Sequence, residues 1–156
     1  MPSKKSDQRK KRSNDRKAPI LTQDLPVCSR NKVDYFLRNE LLPKWQKGEP
    51  TLFKVEPEHV DSRIETAVKS IIANNGTYEK GEKVVIHSEP DALPLAVEIG
   101  SVLKKLGFQI CTVYGLRGDP SSLNKLLKAL PNKKSLERIV GQWKALVDFA
   151  QHWIWT

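Results

Sequence analysis

The segment that most constrains the fold is KVVIHSEPDALPLAVEIGSVLKKLGFQICTVY, from Lys83 to Tyr114, which reads as strand, helix, strand. Val84, Val85 and Ile86 form an uninterrupted β-branched run of the kind found in strands buried on both faces, and Ser88 and Pro90 cut it off. Helix signals follow at once. Ser88 can accept from the first free amides, Pro90 is tolerated where its missing N–H has no partner, and Asp91 stands three residues after Ser88 as in a capping box. Leu93, Ala96, Val97, Gly100, Leu103 and Leu106 then recur at helical spacing, with Glu98, Ser101, Lys104 and Lys105 expected on the wet side. Lys104 and Lys105 suit the helix dipole, Gly107 suits a left-handed cap, and Phe108, Ile110 and Val113 begin the next strand. So short a crossover predicts parallel neighbouring strands.

Outside this unit the elements are less sharply marked. Val33, Phe36, Leu37, Leu41 and Trp45 recur at three- and four-residue steps and predict a helix that Pro43 kinks or ends. Thr51 to Val55 is a candidate strand. Glu56 to His59 are expected to open a helix carrying Val60, Ile64, Ala67, Val68, Ile71 and Ile72. After Tyr114, Leu123 to Leu130 suggest a short amphipathic helix ending at Pro131. Leu136 to Phe149 fit a second helix, and Trp153 and Trp155 fit a closing strand. Ala18 to Arg30 looks extended, so the expected organisation is an arm over 1–30 and one domain over 31–156.

The 156 residues, 38% hydrophobic, suffice for one core of ordinary size. No apolar run approaches the roughly 20 residues of a membrane span, and a membrane partner is not expected. Cys28 and Cys111 are far apart with no CxxC pair, so neither zinc nor a disulfide framework is indicated, and Cys111 reads as a buried inert thiol. No metal or other cofactor is expected, because GxGxxG, Walker, HExxH and GxSxG motifs are all missing from the sequence.

Charge is the strongest compositional clue. The net charge is +9, and within residues 1–17 the cations Lys4, Lys5, Arg9, Lys10, Lys11, Arg12, Arg16 and Lys17 outweigh Asp7 and Asp15 by +6. Such a tail cannot offset its ordering entropy by burial. It reads as an RNA-contacting arm, as a nuclear import signal or as a solubilising tail.

The residues VVIHSEPDALPLAVEIGSVLKK, preceded by VDYFLRNELLPKW, resemble the Alba superfamily, in which an IxIHxxG strand leads into a helix of similar Ala and Ile/Val spacing. The resemblance runs from Val33 to Tyr114 and is nearest to the small Alba-type subunits of eukaryotic ribonuclease P and ribonuclease MRP. It implies an α/β fold, a two-layer βαβαββ sandwich, here with an extra N-terminal helix and a helical insertion near the C-terminus. It also implies a non-catalytic subunit for tRNA and rRNA precursor processing in the nucleus or nucleolus. That subunit pairs with a second Alba-like chain among other ribonucleoprotein subunits, through helices and strand edges, and a helix such as Val33 to Trp45 left over from the core would serve this too. Where many Alba proteins place a Gly-Lys pair on phosphate, this chain has Val55, Glu56, Pro57, Glu58 and His59, so contact there would rely on His59 or Lys54. The family's basic hairpin falls near Arg117, inside an insertion carrying Lys125, Lys128, Lys133, Lys134 and Arg138. The candidate RNA contacts are therefore the eight cations of residues 1–17, Lys54, Arg117, Lys133 and Lys134.

An alternative is a small Rossmann-like sensor or enzyme that binds a nucleotide at the 88–91 turn, with Glu89 or Asp91 as base and His87 as shuttle. A third reading is a scaffold protein whose basic tail only imports it. The terminal aromatics Trp143, Phe149, Trp153 and Trp155 read mainly as core or interface, with stacking on unpaired bases as the other use.

Overall fold

In the computed structural model the described residues are 25–75, 78–115, 124, 127–128 and 132–156. The eight cations of the arm, Arg117, and most of the expected 123–130 helix lie outside them.

A five-stranded mixed sheet runs in the order β1-β2-β4-β3-β5. The strands are β1 (Val27–Cys28), β2 (Thr51–Val55), β3 (Lys83–His87), β4 (Gln109–Tyr114) and β5 (His152–Trp155). Four helical segments accompany them: α1 (30–45), α2 (Ser62–Asn75), α3 (Leu93–Lys105) and α4 (Lys133–Phe149). The expected βαβ unit is present, with β3 and β4 parallel and in the register Val84 to Ile110 and Ile86 to Thr112. β2 joins the other side of β4 antiparallel, and β5 joins the other side of β3 parallel. The last two strands are thus separated by β3 and do not form a hairpin.

Alternation along β3 decides the layering. Val84 and Ile86 pack with α1, α2 and α3 through Phe36, Val68, Val97 and Leu103, whereas Val85 packs with Cys111, Val113 and Leu146 of α4. Both faces of the sheet are covered. The expected two-layer sandwich is therefore corrected: α4, from the stretch expected as an insertion, lies on the second face as a third layer.

Several local expectations change for identifiable reasons. The stretch 25–30, assigned by sequence to the arm, adds β1 to the sheet edge: Lys54 N donates to Pro26 O at 2.9 Å, and Cys28 is fully buried. A two-residue strand carries no periodicity to read. The helix expected from Glu56 begins only at Ser62, because Glu58 is held by a partner far along the chain. Its backbone N–H donates to Ser101 Oγ, which in turn donates to Glu58 O at 3.1 Å, while its Oε2 accepts from Arg30 N at 2.9 Å. That double contact also buries Ser101, which helical spacing had placed in water. The capping box at Ser88 does not form. Glu89 is the N-cap of a 3-10 turn at Pro90–Ala92 and makes no side-chain cap, while Ser88 is buried and its Oγ donates to Glu89 O at 3.0 Å.

The first helix is not left over from the core. Val33, Phe36 and Leu41 are buried in it, and Phe36 lies against Phe53 with ring centroids 5.2 Å apart. Pro43 neither stops α1 nor breaks it outright. A π turn at Leu37–Leu41 precedes it, and Leu42 N donates to Leu37 O, which widens the backbone where the proline ring would meet the carbonyl of Asn39. The helix continues to Trp45. At the end of α3, Gly107 takes φ +94°, the left-handed cap expected of it.

β5 is anchored at its start. His152 Nε2 donates to Glu82 Oε2 at 2.5 Å, and the same oxygen accepts from Glu79 N at 2.8 Å. The Glu79 amide first, and His152 second, hold the Glu82 carboxyl below its ordinary value. A carboxylate depressed in the folded state contributes stability above its unfolded pKa and loses it as pH falls through the folded one. Glu82→Gln is therefore expected to lower the urea midpoint at neutral pH. The gap to the parent should narrow as the solution is taken well below pH 4; a gap independent of pH would show that Glu82 does not act through its charge.

Candidate nucleic-acid interface

The carboxyl end of β3, β4 and β5 gathers Tyr114, Trp143 and Trp155 around His87. Strand alternation points His87 to the α4 face like Val85, and register sets Trp155 beside it on β5. Their rings lie 4.3 Å apart, and Trp143 of α4 stands 6.5 Å from the imidazole on another side. Trp153 stacks near Trp155 at 6.1 Å and 26°. His87 is 2% exposed, and its Nε2 donates to the Gly115 carbonyl at 3.1 Å, which identifies the Nε2–H tautomer or the cation. The strand end is closed further by Thr156, whose N and Oγ1 both donate to His87 O, at 3.0 and 3.2 Å. The imidazole is thus built into a wall.

The turn that follows is equally occupied. Ser88 N donates to Val113 O at 2.9 Å, Ser88 is buried, and Asp91 faces outward. Burial first, then the charges of Glu89 and Asp91, push the Tyr114 hydroxyl well above its ordinary range. Ser88 and His87 are 0% and 2% exposed among the described residues. Burial also pushes the thiols of Cys28 and Cys111 up to about 12, so both are protonated and inert at neutral pH. Among the described residues no group of three His, Cys, Asp or Glu side chains could hold a metal ion, and no helix is long and apolar enough to cross a membrane.

Exposed at this end are tryptophans and lysines, together with the acidic residues that follow β3, exposed Asp91 and half-buried Glu89. Trp155 is 67% exposed, and on the opposite face Trp45 is 38% exposed with its ring edge against Tyr114 at 5.8 Å. α4 runs down one face and β5 returns, so the start of α4 lies at the same end as Trp155. The ion pair of Arg138 with Glu49, at 2.6 Å, fixes this placement, since Glu49 precedes Thr51 and Thr51 pairs with Tyr114. Asn132 caps α4 by accepting from Ser135 N at 2.9 Å, and Lys133 and Lys134 occupy its exposed first turn. Lys133 reaches Glu137 at 3.8 Å.

Of the sequence-predicted contacts, the structure therefore brings Lys133 and Lys134 to the aromatic strand end. Lys54 stands toward the far end of antiparallel β2, close enough to Cys111 to act on its thiol, and is not brought together with them. His59 is exposed in the 56–61 loop beside Arg30, whose guanidinium pairs with Glu98 at 3.3 Å. Trp45 was not singled out as a contact by the sequence. Its helical spacing marked it as an apolar position, and only the end of α1 at Trp45 leaves it at the rim.

Comparison with known proteins decides no family: no family model matches the sequence, and no curated protein or solved structure is significantly similar to it.

Proposed function

We propose that the chain is a non-catalytic RNA-binding subunit of a nuclear ribonucleoprotein, of the Alba-like kind found in ribonuclease P and MRP, acting beside a second Alba-like subunit. The observation that carries this reading is the distribution of charge. A surplus of +6 lies within residues 1–17 of a chain whose net charge is +9. Such a segment gains little from any partner except a polyanion, and phosphate contacts of this kind supply salt-sensitive affinity without sequence choice. The folded part adds shape and a surface on which Lys133, Lys134 and exposed tryptophans share one sheet end. The parallel β3 and β4 joined by α3 support the general α/β architecture that the resemblance implies.

The experiment is purification of the protein from its native cells at low salt. A defined structured RNA and a second small basic chain are expected to accompany it, both released by high salt or by ribonuclease. Recovery of a lone monomer that ignores RNA at low salt overturns the proposal.

A further inference from the structure

We propose that Trp155, backed by Trp153 and His87, is a stacking platform for unpaired RNA bases, so that this face takes single-stranded nucleotides. The inference rests on the RNA-binding reading and adds to it the kind of RNA structure recognised.

Three features carry it. The ring is held before anything binds: β5 is locked to β3 in the register His87 to Trp155, and the imidazole sits 4.3 Å from the indole. Thr156 continues the pairing beyond it by two hydrogen bonds to His87 O. A side chain already fixed loses little rotamer freedom when a base stacks on it. Yet that fixed ring leaves 67% of its surface in water, while Trp143 and Trp153 beside it pack into the core. Lastly, the chain's net charge suits a polyanion, against the two carboxylates, Glu89 and Asp91, that follow His87 at this strand end. Lys133 and Lys134 are exposed at the same end of the sheet, in a chain of net charge +9. A base stacked on Trp155 brings phosphates with it, and a strand running from it across the sheet end toward β2 would meet the start of α4, which the Arg138–Glu49 pair sets there.

The full-length chain is tested with a short oligouridine single strand and a blunt RNA duplex of equal length, by fluorescence anisotropy at low salt. Trp155→Ala is expected to weaken binding of the single strand about tenfold, leaving the duplex affinity and the salt slope unchanged. Trp155→Phe should retain most of the affinity. Unchanged single-strand binding in Trp155→Ala, an equal loss on both probes, or a loss in Trp155→Phe as large as in Trp155→Ala overturns the platform. Should the alanine variant fold poorly, photo-crosslinking of the unaltered chain to a 5-iodouridine oligonucleotide decides. An adduct on the peptide containing Trp155 supports the proposal, and adducts confined to residues 1–17 and α4 overturn it, as does protection of Trp155 by a protein partner alone. A parent chain that binds neither probe removes the RNA reading itself; a parent that binds both, with Trp155→Ala its equal, removes only the platform.

Discussion

On the proposed RNA-binding role, deleting residues 1–17 is expected to lower RNA affinity by about a hundredfold or more at low salt and to flatten its salt dependence, as release of condensed counterions requires. Eight cations leave with the segment, together with two carboxylates. Each cation that meets a phosphate adds about 0.7 to 0.9 to the slope of log affinity against log salt, so the deletion should remove several units. Replacing the same eight residues by glutamine should reproduce the effect, because charge and not length is the cause. Unchanged affinity and slope would reduce the segment to a solubilising or import tail. The folded domain should keep its unfolding midpoint in either variant, since among the described residues a core and a complete five-stranded sheet are already built from residues 25–156.

Gly115→Ala is expected to destabilise the fold by about 3 kcal/mol, with a fall of roughly 10 °C in the melting temperature. A β-carbon at this position would lie 1.7 Å from the outer edge of the Trp143 ring, far inside any real contact. The backbone of Gly115 is held in turn by His87, so it cannot retreat without breaking that hydrogen bond. Trp143 would have to leave, uncovering the imidazole and Val113. Calorimetry measures the loss, and the histidine resonance should move toward that of a solvated imidazole. Trp143→Leu clears the space, so the double variant should lose less than the sum of the two singles. A Gly115→Ala protein with the parent's melting temperature would mean that Trp143 has another place to go.

Much of the architecture was legible where periodicity was long. The unbroken run at Val84 to Ile86, the helical spacing from Leu93 to Leu103 and the glycine at 107 each point to a physical requirement that the fold meets. The end of α4 at Phe149 and the strand at Trp153 and Trp155 were legible for the same reason. Contacts between residues distant in sequence were not. Ser101 looked solvent-facing because nothing local shows that the amide of Glu58, 43 positions away, needs it. Val27–Cys28 is too short to carry a pattern, and Ser88 resembles a helix cap although its burial leaves the hydroxyl only Glu89 O to serve. The third layer was missed because the sequence of α4 shows an apolar side without showing which face of the sheet it covers. At the candidate interface, lysines 133 and 134 were legible as charge, but their placement at the same end of the sheet as Trp155 depends on the return of the chain after α4.

The pairing of β5 with β3 joins segments 68 positions apart, as in Val84 beside His152. During synthesis the β3 edge must wait, unpaired, until the tryptophan-bearing segment has left the ribosome, and closing such a long loop is slow. Nascent chains stalled before residue 152 should therefore hold an open, adhesive strand and a loosely seated α4. A chaperone engaged early would find its target there.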